Sequence, residues 1–142
     1  MYKLTDLEAE ALEKYKPVDD QLVFYGRIPS KKNSRINTKT GRSYPSKRYA
    51  EWERSMFLQL CKQNKKIFSA GLKGLDVTIY FPDLRVADLT NKAESIMDML
   101  VKYNIIDDDN WQITGVITLK PVYRKNIGGF KIKKRSVKND QS

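Results

Sequence analysis

The stretch Leu75-Asp-Val-Thr-Ile-Tyr-Phe81 has one pattern of apolar residues, which ends at Pro82, and a pattern with a different period begins at Leu89. Residues 75–81 alternate as in a β-strand, and proline ends such a strand because it has no backbone N–H to donate. After Leu89 the apolar residues recur at helical spacing, at Leu89, Ala93, Ile96, Met97, Leu100 and Val101. A strand followed directly by an amphipathic helix predicts a domain in which helices cover a sheet.

On the amino-terminal side the sequence predicts an extension, a strand, a basic loop and a long helix. Residues 1–20 form a helical extension that Pro17 ends, and residues 21–29 form the first strand. Residues 30–48 lack apolar periodicity and contain no acid, which predicts a loop. A helix then begins near Ser46 and is broken by Gly71 and Gly74, with its apolar positions at Tyr49, Trp52, Met56, Leu60 and Ile67. We expect Trp52 and Cys61 to be buried on this helix.

On the carboxyl-terminal side an acidic turn at Asp107-Asp-Asp-Asn110 precedes a predicted strand over 111–123. Gly128-Gly129 turns the chain into a last strand over 130–137, and residues 138–142 form a tail that we expect to be disordered. No repeat or linker divides the chain. The sequence therefore predicts one compact domain of the α/β (α+β) class, with a small mixed β-sheet and two main helices.

The composition excludes several kinds of chemistry. The 142 residues contain no histidine, which removes Ser-His and Cys-His catalysis and histidine zinc sites, and a single cysteine cannot form an internal disulfide. No apolar run is long enough to cross a membrane, and the amino terminus does not resemble a signal peptide, so we expect a cytoplasmic protein. The formal charge of +10 points to a polyanionic partner, with nucleic acid first.

The positive charge is concentrated in the loop, in the start of the long helix and in the last strand. We expect these residues to contact nucleic-acid phosphates: Lys31, Lys32, Arg35, Lys39, Arg42, Lys47, Arg48, Lys131, Lys133, Lys134 and Arg135. Phosphate contacts fix position without reading bases, so structure-selective binding fits better than sequence readout.

The middle of the chain is acidic instead. Seven carboxylates lie between Pro82 and Trp111: Asp83, Asp88, Glu94, Asp98, Asp107, Asp108 and Asp109. Carboxylates repel one another and also repel phosphate, unless a cation neutralises them. Mg²⁺ prefers oxygen ligands and often binds one or two carboxylates, waters and substrate phosphate together. Such an ion can activate water against a phosphodiester, so the pattern predicts metal-dependent hydrolysis.

Several of these carboxylates have a purely structural interpretation as well. Asp88 stands where an N-cap would begin the helix, and Asp favours that position. Asp98 and Lys102 are spaced as an exposed i,i+4 ion pair, and Asp107–Asp109 are compatible with an ordinary acidic turn. Glu94 lies one turn after Thr90 and one turn before Asp98, so these three share a helix face.

The stretch from Pro82 to Asp109 resembles the RusA family of Holliday junction resolvases. The resemblance is carried by Pro82-Asp83, by Asp88-Leu-Thr-Asn91 at the start of the helix, by Asp98-Met-Leu100 within it, and by Asp108-Asp109. Pro29-Ser-Lys-Lys-Asn-Ser34 is similar to a segment that follows the family's first strand. The order of elements agrees over about residues 21–137.

The resemblance implies a nuclease domain over 21–137 that forms an intertwined homodimer and resolves branched DNA, such as Holliday junctions, by paired symmetric nicks. It implies Mg²⁺ as cofactor, for which Mn²⁺ can substitute, and a role in recombination and repair in a bacterial or phage-infected cell. The family's catalytic aspartates carry over to Asp88, Asp108 and Asp109.

Two positions depart from the family pattern. Thr90 replaces the second Asp of the Asp-Leu-Asp-Asn motif, and Glu94 replaces the family's catalytic lysine. A carboxylate has thus left position 90 while another stands one turn further along the same face. We expect Asp88, Glu94 and Asp109 to bind the metal. Lys92 lies on another side of the helix and is a poor substitute for the lost lysine.

Two alternatives remain open at this stage. The chain could be a catalytically weakened or inactive nucleic-acid-binding module of the same fold, which Thr90 favours. It could also be a nuclease that acts on flaps, replication forks or RNA.

Overall fold

The computed structural model describes residues 2–30, 35–37, 41, 43–68 and 74–135, and for residues 35–37, 43–45, 66, 67 and 111 the backbone alone. Four α-helices lie in this part of the chain: α1 (Asp6–Lys14), α2 (Lys47–Leu60), α3 (Leu89–Lys102) and the short α4 (Trp111–Thr114). The strands are β1 (Gln21–Tyr25), β2 (Arg35–Asn37), β3 (Ser43–Pro45), β4 (Gly74–Phe81), β5 (Val116–Tyr123) and β6 (Gly129–Lys134). No described helix is long and apolar enough to span a bilayer.

The main sheet is mixed, with the strand order β1-β6-β4-β5. β6 runs antiparallel to both β1 and β4, whereas β4 and β5 are parallel. β1, β4 and β5 therefore point the same way, so the segments that follow β1 and β4 leave the sheet at one edge. α3 connects the parallel pair and returns the chain from the carboxyl end of β4 to the amino end of β5.

α2 and α3 pack against one face of the sheet and form the core with it. Leu22 and Phe24 of β1, Val77 of β4 and Ile132 of β6 contribute from the sheet. The helices contribute Tyr49, Trp52, Met56, Leu60, Ile96, Met99 and Leu100, and Trp52 is fully buried as expected. Lys131 and Lys133 alternate with buried Phe130 and Ile132, which turns both lysines to the opposite face of the sheet. The predicted mixed α/β class with two main helices is confirmed.

The long helix is shorter than the sequence predicted. α2 ends at Leu60, and residues 65–68 form a separate 3₁₀ turn. The apolar stripe of α2 would continue at position 63 or 64, and both residues are polar, so burial no longer supports a helix there. Cys61 caps this end and is exposed, which corrects the expectation that it is buried. Gly71, which was predicted to break the helix, lies outside the described residues.

Two further boundaries differ from prediction. Residues 111–114 form α4 rather than the start of a strand, because the side chain of Asn110 accepts from the backbone N–H groups of Gln112 and Ile113, each at 3.1 Å. Gly115, with φ of 66°, then turns the chain into β5. Within the predicted basic loop, β2 and β3 pair antiparallel around Gly41, whose φ is 83°. The last strand ends at Lys134, and residues 136–142, with the predicted tail, lie outside the described residues.

Two glutamines, one in the last turn of α2 and one just after the helix, cover the outer edge of β1. Gln59 accepts from the N–H of Tyr25 and donates to its carbonyl, both at 2.8 Å. Gln63 does the same for Val23, at 2.9 and 2.8 Å. Since β1 is an edge strand, these side-chain amides bond the backbone groups that a neighbouring strand would otherwise bond.

Candidate active site

Asp88 begins α3 as its N-cap. Its carboxylate accepts hydrogen bonds from the backbone N–H groups of Thr90, at 3.0 Å, and Asn91, at 3.3 Å. It also accepts from the Thr90 hydroxyl at 2.7 Å and from the Asn91 side-chain amide at 3.2 Å. The capping interpretation of Asp88 is therefore confirmed, while its side chain stays exposed to solvent.

A groove of about 550 Å³ runs between α3, the loop that follows it and β5. Thr90, Glu94 and Asp98 line it from the helix, as their i,i+4 spacing predicted, and Asp109 lines it from the loop. Ile117 and Leu119 of β5 form the apolar wall. The fold thus brings Glu94 and Asp109, which are far apart in sequence, to one surface.

The neighbouring aspartates of the acidic turn have different environments. Asp108 accepts from the N–H of Asp109 at 2.8 Å and from the Asn110 side chain at 3.0 Å, and these hydrogen bonds hold the pKa of Asp108 below its usual value. Asp108 therefore stabilises the turn. Asp109 lines the groove instead, so it is the member of the pair that can face a ligand there.

The three predicted metal ligands do not form one cluster. Asp88 lines a different cavity from Glu94 and Asp109, and nowhere in the described ranges are three Asp, Glu or Cys residues placed to hold a metal ion. Glu94 and Asp109 still fit Mg²⁺ in their chemistry, because both offer exposed carboxylate oxygens to the same groove.

Asp88 lies instead at the rim of a cavity of about 480 Å³ on the other side of α3. Its lining includes the segment after β1, the start of α2, the end of β4 and the loop before α3. Four basic side chains line this cavity, namely Arg27, Arg48, Arg85 and Lys92, together with Asp83. Arg27 and Arg85 both contact the Asp83 carboxylate, the latter through Nε at 3.1 Å, and the Arg27 hydrogen bond lowers the pKa of Asp83.

Lys92 lies half-buried in the same cavity. Its ammonium donates to the backbone carbonyl of Ile28. The pKa of Lys92 is lowered to about 8, mainly by burial and also by the positive charges of Arg27, Arg48 and Arg85. The helix thus separates a cation-lined cavity, which contains Lys92 and Asp88, from a groove lined by Glu94 and Asp109. We call these the cationic cavity and the acidic groove.

Few of the predicted nucleic-acid contacts lie next to α3. Arg48 lines the cationic cavity, whereas Lys47 lines a separate surface depression beside Phe57 and Tyr103. Lys131, Lys133 and Arg135 line neither the cavity nor the groove, and Arg135 binds Asp76 at 2.8 Å and Thr118 at 2.7 Å. Lys134 is half-buried at the end of β6. Lys31, Lys32, Lys39, Arg42 and the side chain of Arg35 lie outside the described residues.

The prediction that Lys102 forms an ion pair with Asp98 is wrong. Lys102 binds Glu53 of α2 at 2.9 Å, and this contact raises the pKa of the lysine. Glu53 is almost completely buried, so its carboxylate has a stronger need for a cation than the half-buried Asp98 has.

Sequence reasoning missed Arg27, Arg85 and the placement of Lys92. Arg27 and Arg85 follow different strands, and they meet because β1 and β4 end at the same edge of the sheet. Strand order has no local signal in the sequence. The register of α3 did separate Lys92 from the Thr90–Glu94 face, but the cavity on its own side could not be predicted.

Comparisons with known proteins agree with this architecture. The endodeoxyribonuclease RusA family matches residues 26–133 of the chain. The protein named crossover junction endodeoxyribonuclease RusA from Aquifex aeolicus (strain VF5) is 27% identical over 107 residues, which cover 75% of this chain and 84% of that protein. The family match begins just after β1, ends within β6 and includes both the acidic groove and the cationic cavity, and the chain belongs to the RusA family of endodeoxyribonucleases.

Proposed function

We propose that the chain is a Mg²⁺-dependent, structure-selective endodeoxyribonuclease that cuts branched DNA, including Holliday junctions, in recombination and repair. Family membership supports the reaction class and the DNA substrate. The observation that carries the proposal is the placement of Glu94 and Asp109 in one groove, on the opposite side of α3 from a cavity lined by four basic side chains. A basic surface attracts the DNA backbone, and the carboxylates supply oxygen ligands for a cation.

The metal would be held by Glu94 and Asp109. Two carboxylates are enough for Mg²⁺, which completes its coordination with waters and substrate phosphate, and Mn²⁺ prefers the same donors. When bound, the ion supplies water activation and stabilises the charge that develops on the leaving oxygen. Asp98 lines the same groove, while Asp88 holds the helix start beside it.

Glu94 has a specific part in this proposal. Thr90 and Glu94 line the same groove, one turn apart, so a carboxylate at 94 projects to the surface that an aspartate at 90 would serve. We propose that Glu94 compensates in this way for Thr90. The Thr90 hydroxyl bonds Asp88 instead, and so contributes to the helix cap.

Paired symmetric nicks require two active sites, and a two-fold dimer would provide them on a four-way junction. The exposed edge of β5 supports such an association, because Val116, Ile117 and Tyr123 expose large apolar side chains there.

One cleavage experiment tests both the reaction and the roles of the carboxylates. Labelled four-way junction, flap and linear duplex DNA are incubated with the protein, with Mg²⁺ or with EDTA. We expect symmetric nicks in the junction with Mg²⁺ and none with EDTA. The cleavage rate should fall by roughly 100-fold or more in Asp109→Asn and in Glu94→Gln. Asp107→Asn, in the same turn, is the matched control and should cut at the wild-type rate. If Glu94→Gln also retains the wild-type rate, Glu94 does not compensate for Thr90.

A second candidate is a binding module that has lost catalysis. It is favoured by one observation, namely that no three carboxylates converge among the described residues. Tight junction binding with no nicking under Mg²⁺ or Mn²⁺ would select this candidate, and preferential cutting of flaps would select a different substrate.

A further inference from the structure

The cationic cavity holds more positive than negative side chains. Arg27, Arg48, Arg85 and Lys92 line it against the two carboxylates Asp83 and Asp88. The fold brings these four cations together around a cavity of about 480 Å³ from the segment after β1, from α2, from α3 and from the loop before α3. Like charges repel, so this grouping costs stability unless an anion offsets it.

Hydrogen bonds within the chain already use the two carboxylates. Asp83 accepts from Arg27 and Arg85, and Asp88 accepts from the first turn of α3. Lys92 donates to a neutral carbonyl, that of Ile28, rather than to a carboxylate. An ammonium has three donors, so this contact leaves Lys92 able to donate to a ligand.

Ser30 gives a second, independent observation. Its hydroxyl is buried and has no hydrogen-bond partner within the described part of the chain, and the residue lines the same cavity. Buried hydroxyls are normally paired, so an unpaired one at the wall of a cavity indicates a missing acceptor. An anion in the cavity would supply an acceptor for both Ser30 and Lys92.

We propose that the cationic cavity is a phosphate subsite, which receives one backbone phosphate of the bound DNA through Lys92, Arg48 and the Ser30 hydroxyl. Asp83 holds Arg27 and Arg85 in place at its wall. The assignment to DNA rests on the proposed function, but it does not depend on metal binding or cleavage. The subsite lies on the opposite side of α3 from the acidic groove, so it would hold the strand at a second point beside the reacting one.

The first test asks whether the cavity binds an anion at all. Inorganic phosphate is titrated into ¹⁵N-labelled protein in EDTA at constant ionic strength, with chloride as the balancing anion. We expect saturable shifts of the backbone amides of Ser30, Asn91 and Lys92. The shifts should be lost in Lys92→Gln and in Arg48→Gln. Two matched controls, Lys62→Gln and Arg54→Gln, remove the same charges outside the cavity and should retain them.

The second test asks whether the anion is a DNA phosphate. Binding of a four-way junction is measured in EDTA over a range of NaCl concentrations. The logarithm of the binding constant falls with the logarithm of the salt concentration, and loss of one phosphate contact makes this fall less steep by about 1. We expect this decrease for Arg48→Gln and Lys92→Gln, and a smaller one for Arg54→Gln and Lys62→Gln. Arg48 is exposed on the first turn of α2, so its substitution tests the subsite without disturbing the contact between Lys92 and Ile28.

The outcomes are distinct. No saturable shift at the cavity overturns the subsite, and a phosphate shift with equal salt slopes in cavity and control variants overturns its assignment to DNA. Neither readout involves cleavage. A wild-type protein that binds junctions without nicking them would therefore contradict the proposed function and leave this subsite standing.

Discussion

Asp88 has two roles that a single substitution would confuse. Its carboxylate accepts hydrogen bonds from the backbone of Thr90 and Asn91, which stabilises the start of α3, and it also carries a charge beside the candidate site. Asparagine caps a helix about as well as aspartate, whereas alanine does not. The two substitutions at position 88 can therefore separate folding from chemistry.

We expect Asp88→Ala to lower the free energy of unfolding by about 1 kcal/mol, and Asp88→Asn to leave it nearly unchanged. Both should slow junction cleavage, because both remove the charge. Urea denaturation and the nicking assay measure the two effects, with Asp107→Ala as a control outside the helix cap. If Asp88→Asn cuts at the wild-type rate, Asp88 is a cap and nothing more.

Lys92 predicts an unusual pH dependence of stability. Its pKa is about 8 in the folded protein, while the unfolded chain keeps the ordinary lysine value of 10.5. Between these values the unfolded state binds more protons, so the contribution of Lys92 to stability rises with pH across this window and is flat on either side. Wild type should therefore gain in urea midpoint relative to Lys92→Gln between pH 7.5 and 10. The urea midpoints of wild type and Lys62→Gln should change with pH in parallel. If the midpoint of Lys92→Gln also changes in parallel with wild type, the pKa of Lys92 is not lowered in the folded protein.

At the scale of single residues, the sequence predicted what depends on helix period. Thr90, Glu94 and Asp98 share a surface because they are spaced by four. Asp88 was expected to join Glu94 and Asp109 in one metal site, but it lines the cavity on the other side of α3. Arg27 and Arg85 could not be predicted, since their meeting depends on which strands are neighbours. The pairing of Lys102 with Glu53 depends on how α2 packs against α3, which no local pattern encodes.

At the scale of elements, α2 stabilises β1 by hydrogen bonding as well as by packing. Gln59 is buried and bonds both backbone groups of Tyr25. We expect Gln59→Leu to lower the free energy of unfolding by roughly 2 kcal/mol, because a buried N–H and C=O lose their partner. Gln112→Leu, at an exposed position of α4, is the control for urea denaturation. Equal effects of the two substitutions would show that the Gln59 hydrogen bonds contribute little.

The ends of helices and strands were predicted correctly where a proline or a capping aspartate marks them. They were missed where the only signal is a polar residue in an apolar stripe or a side chain that bonds the backbone. Pro82 ended β4 and Asp88 began α3 as expected. The polar residues Gln63 and Asn64 interrupt the apolar stripe of α2 and mark its end, whereas the prediction relied on the glycines further along the chain. The helical turn at Asn110 depends on one side chain that bonds the backbone ahead of it, and a run of β-favouring residues from 111 to 123 concealed it.

At the scale of the whole molecule, which has a net charge of +10, positive and negative side chains lie on different surfaces. The cationic cavity and the basic face of β6 lie apart from the acidic groove. We expect junction affinity to fall at least about tenfold between 50 and 200 mM NaCl, because binding releases counterions from DNA. Fluorescence anisotropy in EDTA measures this change, and an affinity independent of salt would contradict electrostatic binding.

The glutamine-covered edge of β1 has a consequence for assembly. A sheet with two open edges can add strands on both sides and so propagate into a fibre. Here Gln59 and Gln63 occupy the outward backbone groups of Val23 and Tyr25, so another copy cannot extend the sheet there. Among the described strands of the four-stranded sheet, this leaves β5 as the open edge, and one edge-to-edge contact at β5 occupies the open edge of both copies. The four-stranded sheet can therefore associate edge to edge only into a closed pair and not into a fibre.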